Sequence, residues 1–195
     1  EKDMQTIGTL LDMQERTLLR LDEFISDIVR YSRNNRLDVE ISQIDFKSLI
    51  EEIFEHLHFM EKFADIDRKI DISTDLKFSS DGKRISIILN NLISNAIKYA
   101  DPDKENPFVE VRVERHQNGV TICVIDNGQG IETKHLSKIF DMFFRATQRS
   151  TGSGIGLYIV KEIVQKMSGS IEVESTPGRG SKFFIMLPDL SGVAN

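Results

Sequence analysis

Apolar positions along this chain repeat with different periods, and the change from one to another divides it. Over residues 7–31, Leu11, Leu18 and Ile25 recur at heptad spacing, Leu21 and Ile28 interleave with them, and Leu10, Phe24 and Tyr31 lie beside them. At 3.6 residues per turn these positions form one stripe. The spacing therefore predicts a long amphipathic helix with no core of its own, whose stripe needs another helix, from the same chain or from a second copy. The competing reading is an ordinary helix packed on the domain that follows. The polar run Ser32-Arg33-Asn34-Asn35-Arg36 ends the pattern and reads as a hinge.

Beyond the hinge, helical and strand periods alternate. Residues 39–46 are predicted as a strand, 47–60 as a helix and 69–74 as a short strand. Ser80 or Asp81 can cap a helix that runs to about Tyr99. Residues 108–115 and 120–126 read as strands joined at Asn118-Gly119, and residues 156–167 as a helix. Residues 171–175 and 182–187 form a closing hairpin around Pro177-Gly178-Arg179-Gly180. The expected fold is α/β, a two-layer sandwich with a mixed sheet covered by helices on one face, preceded by the long helix. The expected division is residues 1–36 and residues 37–195.

Composition changes the picture in three ways. A chain of 195 residues, 39% hydrophobic, can bury one real core and carry an appendage. Its net charge of −6 offers no basic field, which argues against nucleic acid as a partner and requires any bound polyanion to be gripped locally. The single cysteine, Cys123, lies in the mostly apolar run 120–125, reads as a buried strand residue and supports no disulfide framework. No signal peptide is recognisable, and no apolar run approaches the roughly 20 residues that cross a bilayer. The first residue is not methionine and falls inside a helical pattern, so the chain reads as a fragment of something longer.

Candidate chemistry begins on the helix of residues 81–99. Ile85, Ile88, Leu89, Leu92, Ile93, Ala96 and Ile97 make a broad apolar arc, and Asn91, Asn95 and Lys98 stack beside it. An asparagine carbonyl is an oxygen ligand suited to Mg²⁺ where a triphosphate supplies the negative charge, and Lys98 can reach a phosphate. Two asparagines on a helix flank, taken alone, read as surface residues or local hydrogen-bonders. Asp126-Asn127-Gly128 is by itself a turn signal; its functional reading is that Asp126, ending a buried strand, accepts a hydrogen bond from an adenine amino group. Guanine would set a carbonyl oxygen against that carboxylate, a mismatch that gives strong selectivity in a dry pocket. Gly128 and Gly130 would let the backbone pass close to the base. Gly152-Ser153-Gly154-Ile155-Gly156 opens a periodic helix whose free N–H groups suit a phosphate chain. It is neither a P-loop nor a dinucleotide fingerprint. Between the glycine clusters, Phe140, Phe143 and Phe144 are either core packing or the anchor of a lid, with Arg145 or Arg149 able to meet the terminal phosphate.

With these residues in place, the chain resembles the catalytic part of a bacterial sensor histidine kinase of the GHKL ATPase superfamily. Residues 91–99 resemble the N box, Asp126-x-Gly128-x-Gly130 the first glycine box, residues 140–145 the F box and residues 152–157 the second glycine box. Gly178-x-Gly180-Ser181 resembles the closing glycine turn, whose hydroxyl residue often touches phosphate. The resemblance implies a Bergerat-type ATP-binding fold. It implies Mg²⁺ coordination by Asn95, catalytic roles for Asn91, Asn95 and Lys98, and adenine recognition by Asp126. It implies further ATP contacts from Ala96, Lys98, Tyr99, Gly128, Gly130 and Ile131. The F box would add Phe143, Phe144 and Arg145; the second glycine box Gly152, Ser153, Gly154, Ile155, Gly156 and Leu157; and the closing turn Ser181. Residues 143–153 would form the lid. Asn91 stands where the ATP-hydrolysing relatives carry a glutamate base, so the site suits phosphate transfer to a side chain better than activation of water.

The resemblance departs at the amino-terminal end. In this family a dimerising helical hairpin carries a phosphoaccepting histidine on its first helix, and residues 1–36 resemble only the second helix. His56, His58, His116 and His135 all fall in the ATP-binding region, outside such a motif, and read as surface or packing residues. The implied activity is transfer of the ATP γ-phosphoryl group to a histidine outside this chain. Implied partners are a second copy in the full-length protein and a response regulator receiver domain, in the cytoplasm, with any membrane contact made through segments not present here. The competing readings are a GHKL ATPase of the chaperone or DNA-repair kind and a module that holds nucleotide without transferring phosphate.

Overall fold

Two aspartates set where the first helices begin. Asp45 accepts the Ser48 backbone N–H at 3.1 Å and starts α1 (Phe46–His56), while Asp81 accepts the Arg84 N–H at 3.0 Å and starts α2 (Gly82–Lys98). These and the following details come from a computed structural model. It describes residues 39–146 and 153–192, together with Gln14, Thr17, Leu18, Leu21, Asp22 and Ile25, which are helical and exposed. The Asp45 cap overrides the strand expected over residues 39–46: β1 (Ile41–Gln43) stops short of it and Phe46 is already helical. Strand β1 pairs antiparallel with β3 (Ser79–Asp81), an element whose polar residues carry no strand pattern.

The main sheet is mixed, as expected. Its strands are β2 (Asp67–Ile72), β4 (Phe108–His116), β5 (Gly119–Asp126), β6 (Ser170–Thr176) and β7 (Gly180–Pro188), in the order β2-β4-β5-β7-β6. Strands β2 and β4 run parallel; the other neighbours are antiparallel. The turn between β4 and β5 is Gln117-Asn118, one residue earlier than the sequence suggests. Gly119 is needed inside β5, because a side chain there would overlap the Leu187 carbonyl. A 3₁₀ turn (Phe63–Asp65), the short helix α3 (Thr133–Leu136) and the longer α4 (Gly156–Lys166) complete the described fold.

Register places the core. Val111, Val124, Phe183 and Val173 form one row across the sheet and Val113, Ile122, Ile185 and Ile171 the next, all on the face that α1, α2 and α4 cover. Helix α2 buries the arc read from its periodicity, Ile85, Ile88, Leu89, Leu92, Ile93, Ala96 and Ile97, and α4 buries Ile159, Val160, Ile163 and Val164. The opposite face is mixed: it carries Ile125, Phe184 and Met186 alongside charged residues, and Arg112 there bridges Asp71 at 3.3 Å and Glu110 at 2.7 Å. Cys123 belongs to that face yet is buried, which pushes its thiol up to about 11 and leaves it inert as a nucleophile.

Candidate functional site

Strand alternation carries Asp126 into the interior. Val120, Ile122, Val124 and Asp126 share one side of β5, so the face that is apolar for three positions ends in a carboxylate. Its cross-strand neighbours are Val109 on β4 and Ser181 on β7. One Asp126 oxygen accepts the Gly128 N–H at 2.8 Å. Burial pushes the carboxyl up to about 6, against the opposing pull of the Gly128 and Ser181 N–H groups.

Above Asp126 opens a cavity of about 380 Å³. Asn95, Ala96 and Tyr99 at the end of α2 line one side, and Ile139, Phe144 and Arg145 another. The volume and mixed lining fit a ligand of nucleoside size. The backbone after Asp126 is stitched to elements remote in sequence. Gln129 N–H donates to the Tyr99 carbonyl at 3.0 Å, Gly178 N–H to the Gln129 carbonyl at 2.8 Å, and Ile131 N–H to Ser175 Oγ at 2.8 Å. Gly130 sits at φ +69°, and a Cβ there would run into the Thr176 carbonyl, so only glycine allows this close passage. Asn127 braces the same turn: its Oδ1 accepts the Phe108 N–H and its Nδ2 donates to the Asn106 carbonyl, both at 2.9 Å.

Of the residues expected at the site, the structure gathers Asn95, Ala96, Tyr99, Asp126, Gly130, Ile131, Phe144, Arg145, Gly154, Leu157 and Ser181 around this one cavity. Others stand behind or beside it. Asn91 donates from Nδ2 to the Ile87 carbonyl at 2.8 Å, and its Oδ1 lies where a Cβ on Gly156 would come within 2.6 Å. Lys98 Nζ lies 5.6 Å from the Tyr99 ring centroid. Gly128, Ser153 and Ile155 shape backbone next to the lining. Phe143 is exposed at φ 67°, an unusual conformation for a bulky side chain, and its N–H donates to the Gly154 carbonyl at 3.0 Å. That bond joins the F box to the second glycine box. Gly152 and Arg149 lie outside the described residues.

Sequence reasoning missed several lining residues. His135, read as surface or packing, lines the cavity with its ring centroid 5.5 Å from that of Phe144. Gln129, Glu132, Pro177 and Phe183 line it too. Gln129 occupies a variable place within the glycine box, and Pro177 and Phe183 arrive only through the β6–β7 register, so no local pattern marks them. Among the described residues no cluster of three or more His, Cys, Asp or Glu could hold a metal by itself. Asn95 and Gln129 line the cavity, and a side-chain amide carbonyl is a neutral oxygen of the kind that can ligate a Mg²⁺ brought in on phosphates. Unlike α1 and α2, helix α4 begins without a side-chain cap.

Comparison with known proteins bears on the same region. Residues 80–191 match the model of the family described as histidine kinase-, DNA gyrase B-, and HSP90-like ATPase. The chain is 31% identical over 193 residues to the sensor protein kinase WalK of Staphylococcus saprophyticus, covering 96% of this chain and 31% of that protein. It thus spans about a third of the length of that relative. Among solved structures it resembles full-length ShkA in complex with AMPPNP, with a TM-score of 0.74 and 23% identity over 96% of this chain and 39% of that one. The nucleotide-free catalytic domain of histidine kinase ThkA aligns with a TM-score of 0.65 and 27% identity, over 77% of this chain and 96% of that one. No helix among the described residues is long and apolar enough to cross a membrane.

Proposed function

The chain belongs to the histidine kinase-, DNA gyrase B-, and HSP90-like ATPase family, and on that footing we propose that it binds ATP and passes the γ-phosphoryl group to a histidine outside residues 1–195, as the catalytic domain of a two-component sensor histidine kinase. The observation that carries the reading is Asp126, a half-buried carboxylate that lines a largely apolar cavity and whose desolvation raises its pKa. A carboxylate there demands a hydrogen-bond donor, and the adenine amino group is one. A guanine carbonyl would leave two acceptors face to face and the carboxylate unpaired, at a cost that separates the two bases by orders of magnitude. The names of the relatives, a sensor protein kinase and the catalytic domain of a histidine kinase, point the same way.

From the base outward, Ala96 and Tyr99 flank the nucleoside and Gly130 and Ile131 close on it. Asn95, Arg145 and the uncapped start of α4 face the phosphates. Asn95 would hold Mg²⁺ through its amide oxygen, and the ion, when bound, neutralises phosphate charge. Asn91 has no carboxylate to take a proton from water, which favours transfer over hydrolysis. The acceptor histidine, a second copy of the full-length chain and a receiver domain belong to the wider assembly, which we place in the cytoplasm, where ATP is supplied.

Calorimetric titration with ATP and with GTP, each with and without Mg²⁺, tests the reading. Expected are ATP-selective, Mg²⁺-strengthened binding by the intact chain and its loss in Asp126→Asn. Phosphate transfer to a separately supplied histidine hairpin would then separate a kinase domain from a module that only holds nucleotide. Absence of ATP binding by the intact chain would sink the assignment.

A further inference from the structure

Behind Asp126 lies a small hydroxyl network that the reading above does not use. Ser175 on β6 is the cross-strand partner of Ser181 on β7, which is in turn the partner of Asp126 on β5, so the three side chains stand in one row. Ser175 Oγ lies 2.8 Å from the Gly180 carbonyl oxygen, 2.8 Å from the Ile131 backbone nitrogen and 3.0 Å from Ser181 Oγ. A serine hydroxyl has one proton and two lone pairs. The Gly180 carbonyl can only accept and the Ile131 N–H can only donate. The Ser175 proton therefore goes to Gly180, and one lone pair goes to Ile131. What remains for Ser181 is the second lone pair, so Ser181 donates its own proton to Ser175. That proton is thereby committed to Ser175, and Ser181, buried and lining the cavity, offers only lone pairs to a ligand.

We infer that Ser175 is a positioning residue for base selection: by taking the Ser181 proton, it makes Ser181 a fixed acceptor beside the Asp126 carboxylate. The base end of the cavity then presents two acceptors in register, which favours an amino group at the purine 6 position and disfavours a carbonyl there. The inference rests on the nucleotide reading. Its content is that selectivity against a 6-carbonyl purine is set partly by a residue that touches no ligand.

The test compares ATP with ITP, which carries a carbonyl in place of the 6-amino group, by competitive displacement of a fluorescent adenine nucleotide from the full chain. In Ser175→Ala the Ser181 hydroxyl is released to donate to that carbonyl, so the ATP-to-ITP preference is expected to narrow by about tenfold, with ITP binding tightened. Ser175→Thr keeps the hydroxyl and is expected to restore the preference. Equal weakening of both nucleotides, with the ratio unchanged, would mean that Ser175 only braces the Ile131 loop and would overturn the inference. Should Ser175→Ala fail to fold, Ser175→Cys, which leaves only a weak acceptor at that place, carries the same reading: a narrowed ratio supports it and an unchanged one overturns it. Failure of the intact chain to bind ATP at all would overturn the nucleotide reading and this inference with it, whereas selective binding with an unmoved ratio overturns this inference alone.

Discussion

A carboxylate two residues beyond Val124 on a core-facing strand loses most of its water, and burial lifts Asp126 to about 6 from the roughly 3.9 of an unfolded chain. The folded state then holds its proton more tightly than the unfolded state. As pH rises from about 4 to 6, this group therefore subtracts stability, and above pH 6 the full cost is present, at most roughly 3 kcal/mol. Asp126→Asn removes the charge and keeps an oxygen for the Gly128 N–H. Urea unfolding at pH 7 is expected to show the variant more stable by about 1–2 kcal/mol, with the gain fading towards pH 4. The same titration governs the ligand. Between pH 7.5 and pH 5 protonation removes the free acceptor, so affinity for adenosine, which has no titrating phosphate, is expected to fall by about tenfold in calorimetry. The identity of Asp126 was readable from its glycine-flanked motif, but its raised pKa was not, because the burial that desolvates it is set by tertiary packing. His135 shows the converse: four residues past Ile131 and outside every motif, it reaches the cavity only because α3 is packed there.

Helix α2 shows what periodicity settles within an element. Its buried arc follows from 100° per residue, and its start follows from Asp81, an acceptor three residues before Arg84. Periodicity could not show that Arg84 itself is buried, 1% exposed, in an ion pair with Asp81 at 2.8 Å. Removing one partner strands a charge in the core, so Asp81→Ala is expected to cost about 3–5 kcal/mol in urea unfolding, well beyond a lost cap. The loop from Asp126 to Gly130 is the second case. Glycines mark it in the sequence, yet the strand carbonyl that forces glycine at 130 comes from Thr176, on the neighbouring hairpin. Gly130→Ala is expected to destabilise by about 1–3 kcal/mol and to weaken ATP binding more than tenfold, since the loop must move away from the β6–β7 turn. Circular dichroism melts and calorimetry together separate these two effects. The missed pairing of β1 with β3 has the same origin: β3, three polar residues, carries no strand pattern and exists because its neighbour holds it.

At the scale of the whole molecule, we propose that residues 1–36 and residues 37–195 are separate units. Leu18, Leu21 and Ile25 are 66%, 51% and 52% exposed, so these side chains add little to the core of the described body. A chain of residues 37–195 is accordingly expected to melt with the same midpoint and bind ATP within about twofold of the full chain. A marked loss of either would mean that the helix packs on the domain after all. The sequence by itself determined the elements with strong period, the mixed α/β class, the two glycine boxes and the asparagine-bearing helix, because each is encoded in contiguous residues whose spacing matches a helix turn or a strand pleat. Tertiary structure alone decided which residues share a cavity. Ser181 stands beside Asp126 through a pairing of strands 55 positions apart in sequence. Ser175 orients Ser181 through the next pairing, and Asn91 is held against Gly156 by the contact of α2 with α4. Such neighbours come from register and packing, which depend on the whole chain folding at once, and no window of local sequence contains them.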